Sequence, residues 1–233
     1  MENLEMGTNK RNDLRINGLG SSPGGNYNFV QINGKGDING DLDCEDISVN
    51  GLGSIHGSLK AGTARIDGKS EIAKSFTGQE IIINGMSEIG GSVSAQRVEN
   101  RGMLKIGKDC ESEIFRSQGG FHIGGLLNAD KVNIEMYIGC SAREIGGQEI
   151  EIKAGSAFGF KKFLTSLFPA WQLNHHLTAD TIEGDSIYIE NATAKVIRGR
   201  DVKVGPGCQI NEVEYKNSFN QDSGSTVKEN KKV

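Results

Sequence analysis

Gly68-Lys69-Ser70 has the residue types that close a phosphate-binding loop, in which glycine N–H groups and a lysine cradle a phosphate chain. The first glycine of such a loop would fall at position 63, which is Thr63, and Gly62 stands one place too early. Gly34-x-Gly36 and Gly51-x-Gly53 have the start of a dinucleotide-binding turn, but neither continues to a third glycine and a helix. The histidines are His56, His122, His175 and His176. An adjacent pair on a regular element does not easily ligate one ion, and no third ligand stands near it. Cys44, Cys110, Cys140 and Cys208 are widely spaced with no CxxC, which reads as reduced thiols rather than a disulfide or metal set. No catalytic, cofactor or metal site is expected from these residues.

The glycines belong instead to a repeat. Gly34, Gly51, Gly68, Gly85, Gly102 and Gly119 recur every 17 residues, and Ile38, Ile55, Ile72, Ile89, Ile106 and Ile123 follow each by four. A third column is Leu42, Leu59, Phe76, Val93, Cys110 and Leu127; a fourth is Val30, Ile47, Ala64, Ile81, Val98, Phe115 and Val132. Within each repeat the apolar residues alternate, as in Val30-x-Ile32 and Ile47-x-Val49, which is strand rather than helix spacing. At ~3.3 Å per residue one repeat is about 56 Å of chain, enough for three short sides and their corners. A unit this small buries its face only by stacking on its neighbours, so the expected fold is an all-β parallel β-solenoid. The column glycines are expected at corners that need positive φ. Asn33, Asn50, Asp67 and Asn84 precede them and can hydrogen-bond along the stack.

The register divides the chain. Leu14-x-Ile16-Asn17-Gly18 copies the Val30-x-Ile32-Asn33-Gly34 phrase, so residues 1–13 read as a disordered tail and 14–153 as the main solenoid. Residues 154–176 interrupt it. A shorter repeat of 15 then pairs Leu177 with Ala192, Ile182 with Ile197 and Ile187 with Val202, giving final coils over 177–215. Residues 216–233 are polar and read as a second disordered tail. About ten coils at ~4.8 Å each make a rod near 48 Å long.

The net charge is −4, while the last segment carries four Lys against one Asp and one Glu and the interruption carries Lys161 and Lys162. The solenoid body is therefore the acidic part, which does not suit a nucleic-acid partner. The first residues lack the apolar stretch of a signal peptide, and no run of 18 apolar residues exists, so a cytoplasmic protein is expected. Acyltransferase solenoids have a six-residue sub-period, and polysaccharide-cleaving ones have long charged loops. Neither pattern is present here, and an enzyme is not expected.

The phrases VQINGKGDINGDL, ISVNGLGSIHGSL and ARIDGKSEIAKSF resemble the bactofilins, polymer-forming bacterial cytoskeletal proteins. The resemblance covers 30–134 closely and 177–213 more loosely. It implies a right-handed three-faced β-helix that self-assembles without nucleotide, often at the membrane, in cell shape, polarity, cell-wall synthesis or motility. The longer core and the interruption depart from that pattern.

Self-association also follows from the fold, because a solenoid ends in open sheet edges that pair with another chain. The terminal coils, with Leu14 and Ile16 at one end and Val202, Val204, Ile210 and Val213 at the other, are the expected contact with a second copy or a paralogous subunit. In the interruption Phe160, Phe163, Leu164, Leu167, Phe168 and Trp171 lie on one helical face with Lys161 and Lys162 opposite. That face suits the rod's own flank, a protein partner or the inner surface of the cytoplasmic membrane. The alternative function is accordingly a membrane-associated adaptor that does not itself form long filaments.

Overall fold

The computed structural model describes residues 11–155 and 175–233. Up to Ser117 the strands are short: β1 (Asn12–Ile16), β2 (Leu19–Ser22), β3 (Gly25–Ile32), β4 (Lys35–Ile38), β5 (Leu42–Val49), β6 (Leu52–Ile55), β7 (Leu59–Ile66), β8 (Lys69–Ile72), β9 (Phe76–Ile83), β10 (Met86–Ile89), β11 (Val93–Asn100), β12 (Met103–Ile106) and β13 (Cys110–Ser117). Longer strands follow: β14 (Gly120–Met136), β15 (Cys140–Ala154), β16 (Leu177–Ile189), β17 (Ala192–Val204), β18 (Gln209–Gln221) and β19 (Thr226–Lys232). Every pairing among them is parallel, and each strand bonds to the equivalent strand of the next coil.

The fold is a parallel β-solenoid of about 12 coils rather than ten. One interior column shows the count: Leu14, Val30, Ile47, Ala64, Ile81, Val98, Phe115, Val132, Ile150, Ile187, Val202 and Phe219, each paired with the next. Three flat faces make up each early coil. A four-residue strand forms the first face. The eight-residue strand forms the other two, because it bends in its middle: Cys44 pairs with Ala61 and Asp46 with Thr63, while exposed Glu45 between them is skipped.

The column glycines serve a different purpose from the expected one. Gly34, Gly51, Gly68 and Gly85 are not in the left-handed region, where the glycines are Gly24, Gly25, Gly40 and Gly207. A Cβ on Gly51 would strike the carbonyl oxygen of Gly34, one on Gly68 that of Gly51, and one on Gly85 that of Gly68. They are glycine because successive coils approach too closely at this corner for any side chain. Beside them the polar ladder forms, with Asn33 Nδ2 donating to Asn17 Oδ1 (2.8 Å), Asn50 Nδ2 to Asn33 Oδ1 (2.8 Å) and Asn84 Nδ2 to Asp67 Oδ1 (2.6 Å).

Ile38, Ile55, Ile72, Ile89, Ile106 and Ile123 are all buried in one column. Two facing interior columns hold the cross-section constant by trading volume. Ile32 faces Gly36 and Val49 faces Gly53; then Ile66 meets Ser70, Ile83 meets Ser87, Asn100 meets Leu104 and Ser117 meets Phe121. As one column shrinks the other grows, which keeps the interior close-packed. The polar members are satisfied. Ser70 Oγ bonds Ser87 Oγ (2.9 Å), and Asn100 Nδ2 donates to Ser117 Oγ (3.0 Å) and to the Gly120 carbonyl (2.9 Å).

Two boundaries differ from expectation. Among the described residues the first strand begins at Asn12 rather than Leu14, and residues 216–233 are not a loose tail: β18 runs to Gln221 and β19 adds a further partial coil. The interruption does not divide the rod, since β15 pairs directly with β16 from Cys140–Leu177 to Ile152–Ile189. The chain leaves and re-enters at a corner, where Gly155 N–H bonds the Met136 carbonyl (2.9 Å) and His175 Nδ1 bonds the same oxygen (2.9 Å).

Candidate assembly surfaces at the ends of the rod

The residues with the look of chemistry make the following contacts. Gly68-Lys69-Ser70 opens a strand rather than a helix, with Lys69 outward and Ser70 inward against Ser87. His122 Nδ1 pairs with Ser141 Oγ (2.8 Å) and His176 Nε2 with Thr193 Oγ1 (2.8 Å), while partial burial holds His176 below an ordinary histidine's pKa. Among the described residues no group of three or more His, Cys, Asp or Glu is placed to hold a metal ion. All four cysteines are free and buried, and burial pushes the Cys44, Cys110 and Cys140 thiols up to about 12, so they are poor nucleophiles.

The ends are where the ladder stops. Among the described residues β1 pairs only with β3, β2 only with β4, and β19 only with β18. At the first end Ile16 is 7 % exposed and Leu14 is half-buried, with Ser22 Oγ bonded to Tyr27 Oη (3.0 Å) alongside. Among the described residues Leu14 and Ile16 lie in the first coil. At the other end the expected residues are misplaced. Val202 is covered by Phe219, Val204 by Gln221, Ile210 by Val227 and Val213 by Asn230, and all four are at most 2 % exposed. They are interior, because the segment taken for a tail supplies one more coil.

The outermost surface of the described rod at this end is Phe219, Gln221, Val227 and Asn230. Phe219 stacks on Tyr215 at 5.6 Å and, with Val227, packs partly buried against the core. A sequence signal for it exists: Val227 stands 17 after Ile210, and Phe219 stands 17 after Val202. Charge holds the last strand in register. Lys231 Nζ reaches Glu212 (2.8 Å) and Glu214 (2.7 Å), and Glu214 also takes Arg198 Nε (2.7 Å). These contacts hold the Lys231 ammonium well above the usual lysine range and the Glu214 carboxyl below its own. Phe160, Phe163, Leu164, Leu167, Phe168 and Trp171 lie outside the described residues. Among the described residues no helix is long and apolar enough to cross a membrane.

Two bacterial proteins are similar to part of this chain. Both are from Bacillus subtilis (strain 168). The uncharacterized protein YhbF is 36 % identical over 110 residues, covering 47 % of this chain and 42 % of its own. The uncharacterized protein YhbE is 39 % identical over 112 residues, covering 48 % and 44 %. This chain thus spans less than half the length of the curated relatives it matches. It matches no family model, and no solved structure matches it.

Proposed function

We propose that this protein is a non-enzymatic scaffold of the bacterial cytoskeletal kind, which builds nucleotide-independent polymers by stacking rods end on end. The observation that carries this reading is the pair of ladders left unclosed among the described residues, β1 and β2 at one end and β19 at the other. Each leaves a row of backbone N–H and C=O groups with a partner on one side only, and such edges recruit further strands. Head-to-tail stacking continues every interior column: Leu14 of one copy meets Phe219 of the next, and Ser22 meets Val227. The resemblance of the repeat phrases to bactofilins supports the same reading, with positioning of other proteins as the role of the polymer. Electron microscopy of purified protein without nucleotide tests it. Filaments, single or bundled, are expected, and discrete particles at all concentrations would contradict it.

A further inference from the structure

The first face exposes a row of large aliphatic side chains among the described residues. Its outward positions form two columns. One runs Leu19, Lys35, Leu52, Lys69, Met86 and Met103, and beside it run Ser21, Asp37, Ser54, Glu71, Glu88 and Lys105. Leu19 is 87 % exposed, Leu52 51 % and Met86 44 %; with the C-terminal Val233 they are the exposed large hydrophobic residues among those described. Charged side chains pair between coils on the other faces, as in Lys60–Asp43 (3.3 Å), Arg97–Glu80 (3.3 Å) and Lys131–Glu149 (3.1 Å), and at the far end of this strip, where Lys105 meets Glu88 (2.5 Å). Lys35, Asp37, Lys69 and Glu71 do not: among the described residues none has an ion pair or a side-chain hydrogen bond. Unused charges of both signs thus alternate with exposed aliphatic side chains along one flat strip.

We propose that this strip is a side-to-side contact between two copies of the chain, lying parallel about a two-fold axis that runs along the rods. Such an axis sets the first column of one copy against the second column of the other. Lys35 then faces Asp37 of the second copy, Lys69 faces its Glu71, and symmetry repeats both pairs in reverse. Leu52 is enclosed between these two rows of pairs, and Met86 lies against the outer side of the second. Antiparallel rods centred on Leu52 would instead oppose Lys35 to Lys69 and Asp37 to Glu71, which repels. The strip is roughly 24 Å long and 10 Å wide, about 250 Å² per copy, given ~4.8 Å between strands and ~3.3 Å per residue. That is about a third of a standard interface, so two free rods hold weakly. Rods joined end to end repeat the strip, and the contact strengthens by avidity into bundles. The inference deepens the self-assembly reading but does not need the end contact.

Cross-linking tests it on single rods. Leu52→Cys chains are mixed with Ser54→Cys chains and treated with a short bismaleimide; the buried native thiols do not compete. Mixed dimers should form at least about tenfold faster than between Leu52→Cys and Lys60→Cys chains, because apposition raises the effective concentration. Reversing Lys35 and Lys69 to Glu in both chains should bring the rate down to that control. Adding Asp37→Lys and Glu71→Lys to the same chains should restore it, which loss of folding would not. A rate equal to the Lys60→Cys control, or one indifferent to charge reversal, overturns the proposal. Filaments without this cross-link leave the end contact standing and remove the lateral one; cross-link without filaments does the opposite.

Discussion

Ser112 sits in an inward column between Ala95 and Ala129, and its hydroxyl is buried with no hydrogen-bond partner. An unpaired buried hydroxyl carries a desolvation penalty that alanine lacks. Ser112→Ala should leave stability unchanged or raise it by up to about 1 kcal/mol, read from a urea melt. Asp67 shows the opposite case of a polar group well used. It accepts from Arg65 Nε (2.8 Å) and Asn84 Nδ2 (2.6 Å), and these bonds hold its carboxyl below the usual aspartate pKa. A depressed folded pKa contributes stability that is present above the unfolded value and is lost as pH falls through the folded one. Below about pH 4 the wild-type melting temperature should therefore drop, and the drop should be smaller in Asp67→Asn. The side chain is about a third exposed, so the effect at neutral pH should be ~0.5 kcal/mol.

Each coil is an element whose neighbours decide its fate. A methyl at Gly51 would press on the Gly34 carbonyl and force the coils apart, so Gly51→Ala should cost ~3 kcal/mol in a thermal or urea melt. Charge distinguishes interior coils from terminal ones. Val204→Asp places an unpaired carboxylate under Gln221 and should unfold the last coils, seen as lost β-signal in circular dichroism. Val227→Asp, on the terminal surface, should keep that signal and shorten assemblies in sedimentation. The interior of this element was legible in the sequence, since Ile38 to Ile123 recur at 17 and alternate with polar residues. The purpose of the glycines was not, because a spacing shows that a side chain is forbidden without showing whether conformation or a neighbouring coil forbids it. The last coil was missed for another reason. Thr226 to Lys232 has one apolar inward residue, Val227, so its fold depends on the coil beneath and on Lys231 between Glu212 and Glu214, neither visible in local hydropathy. With the coil went the candidate assembly surface, displaced from Val202, Val204, Ile210 and Val213 to Phe219, Gln221, Val227 and Asn230.

The described residues form a rod of about 12 coils whose first and last strands each pair on one side among those residues. Nothing within such a stack sets its length, because each coil contacts only its neighbours. In the proposed assembly growth is limited by the chemistry of the two end coils of the described rod, which is mixed: Leu14 and Ile16 beside Ser22 at one, Phe219 and Val227 beside Gln221 and Asn230 at the other. Apolar positions supply the drive for stacking, and the polar ones are paired only if columns align. Addition of a copy should accordingly be selective in register and insensitive to nucleotide. The most direct measurement is electron microscopy, with sedimentation alongside, of wild type and Val227→Asp without nucleotide. The account predicts filaments for wild type and dispersed, fully folded rods for Val227→Asp. Wild type that stays dispersed at every concentration, or Val227→Asp filaments as long as those of wild type, would contradict it.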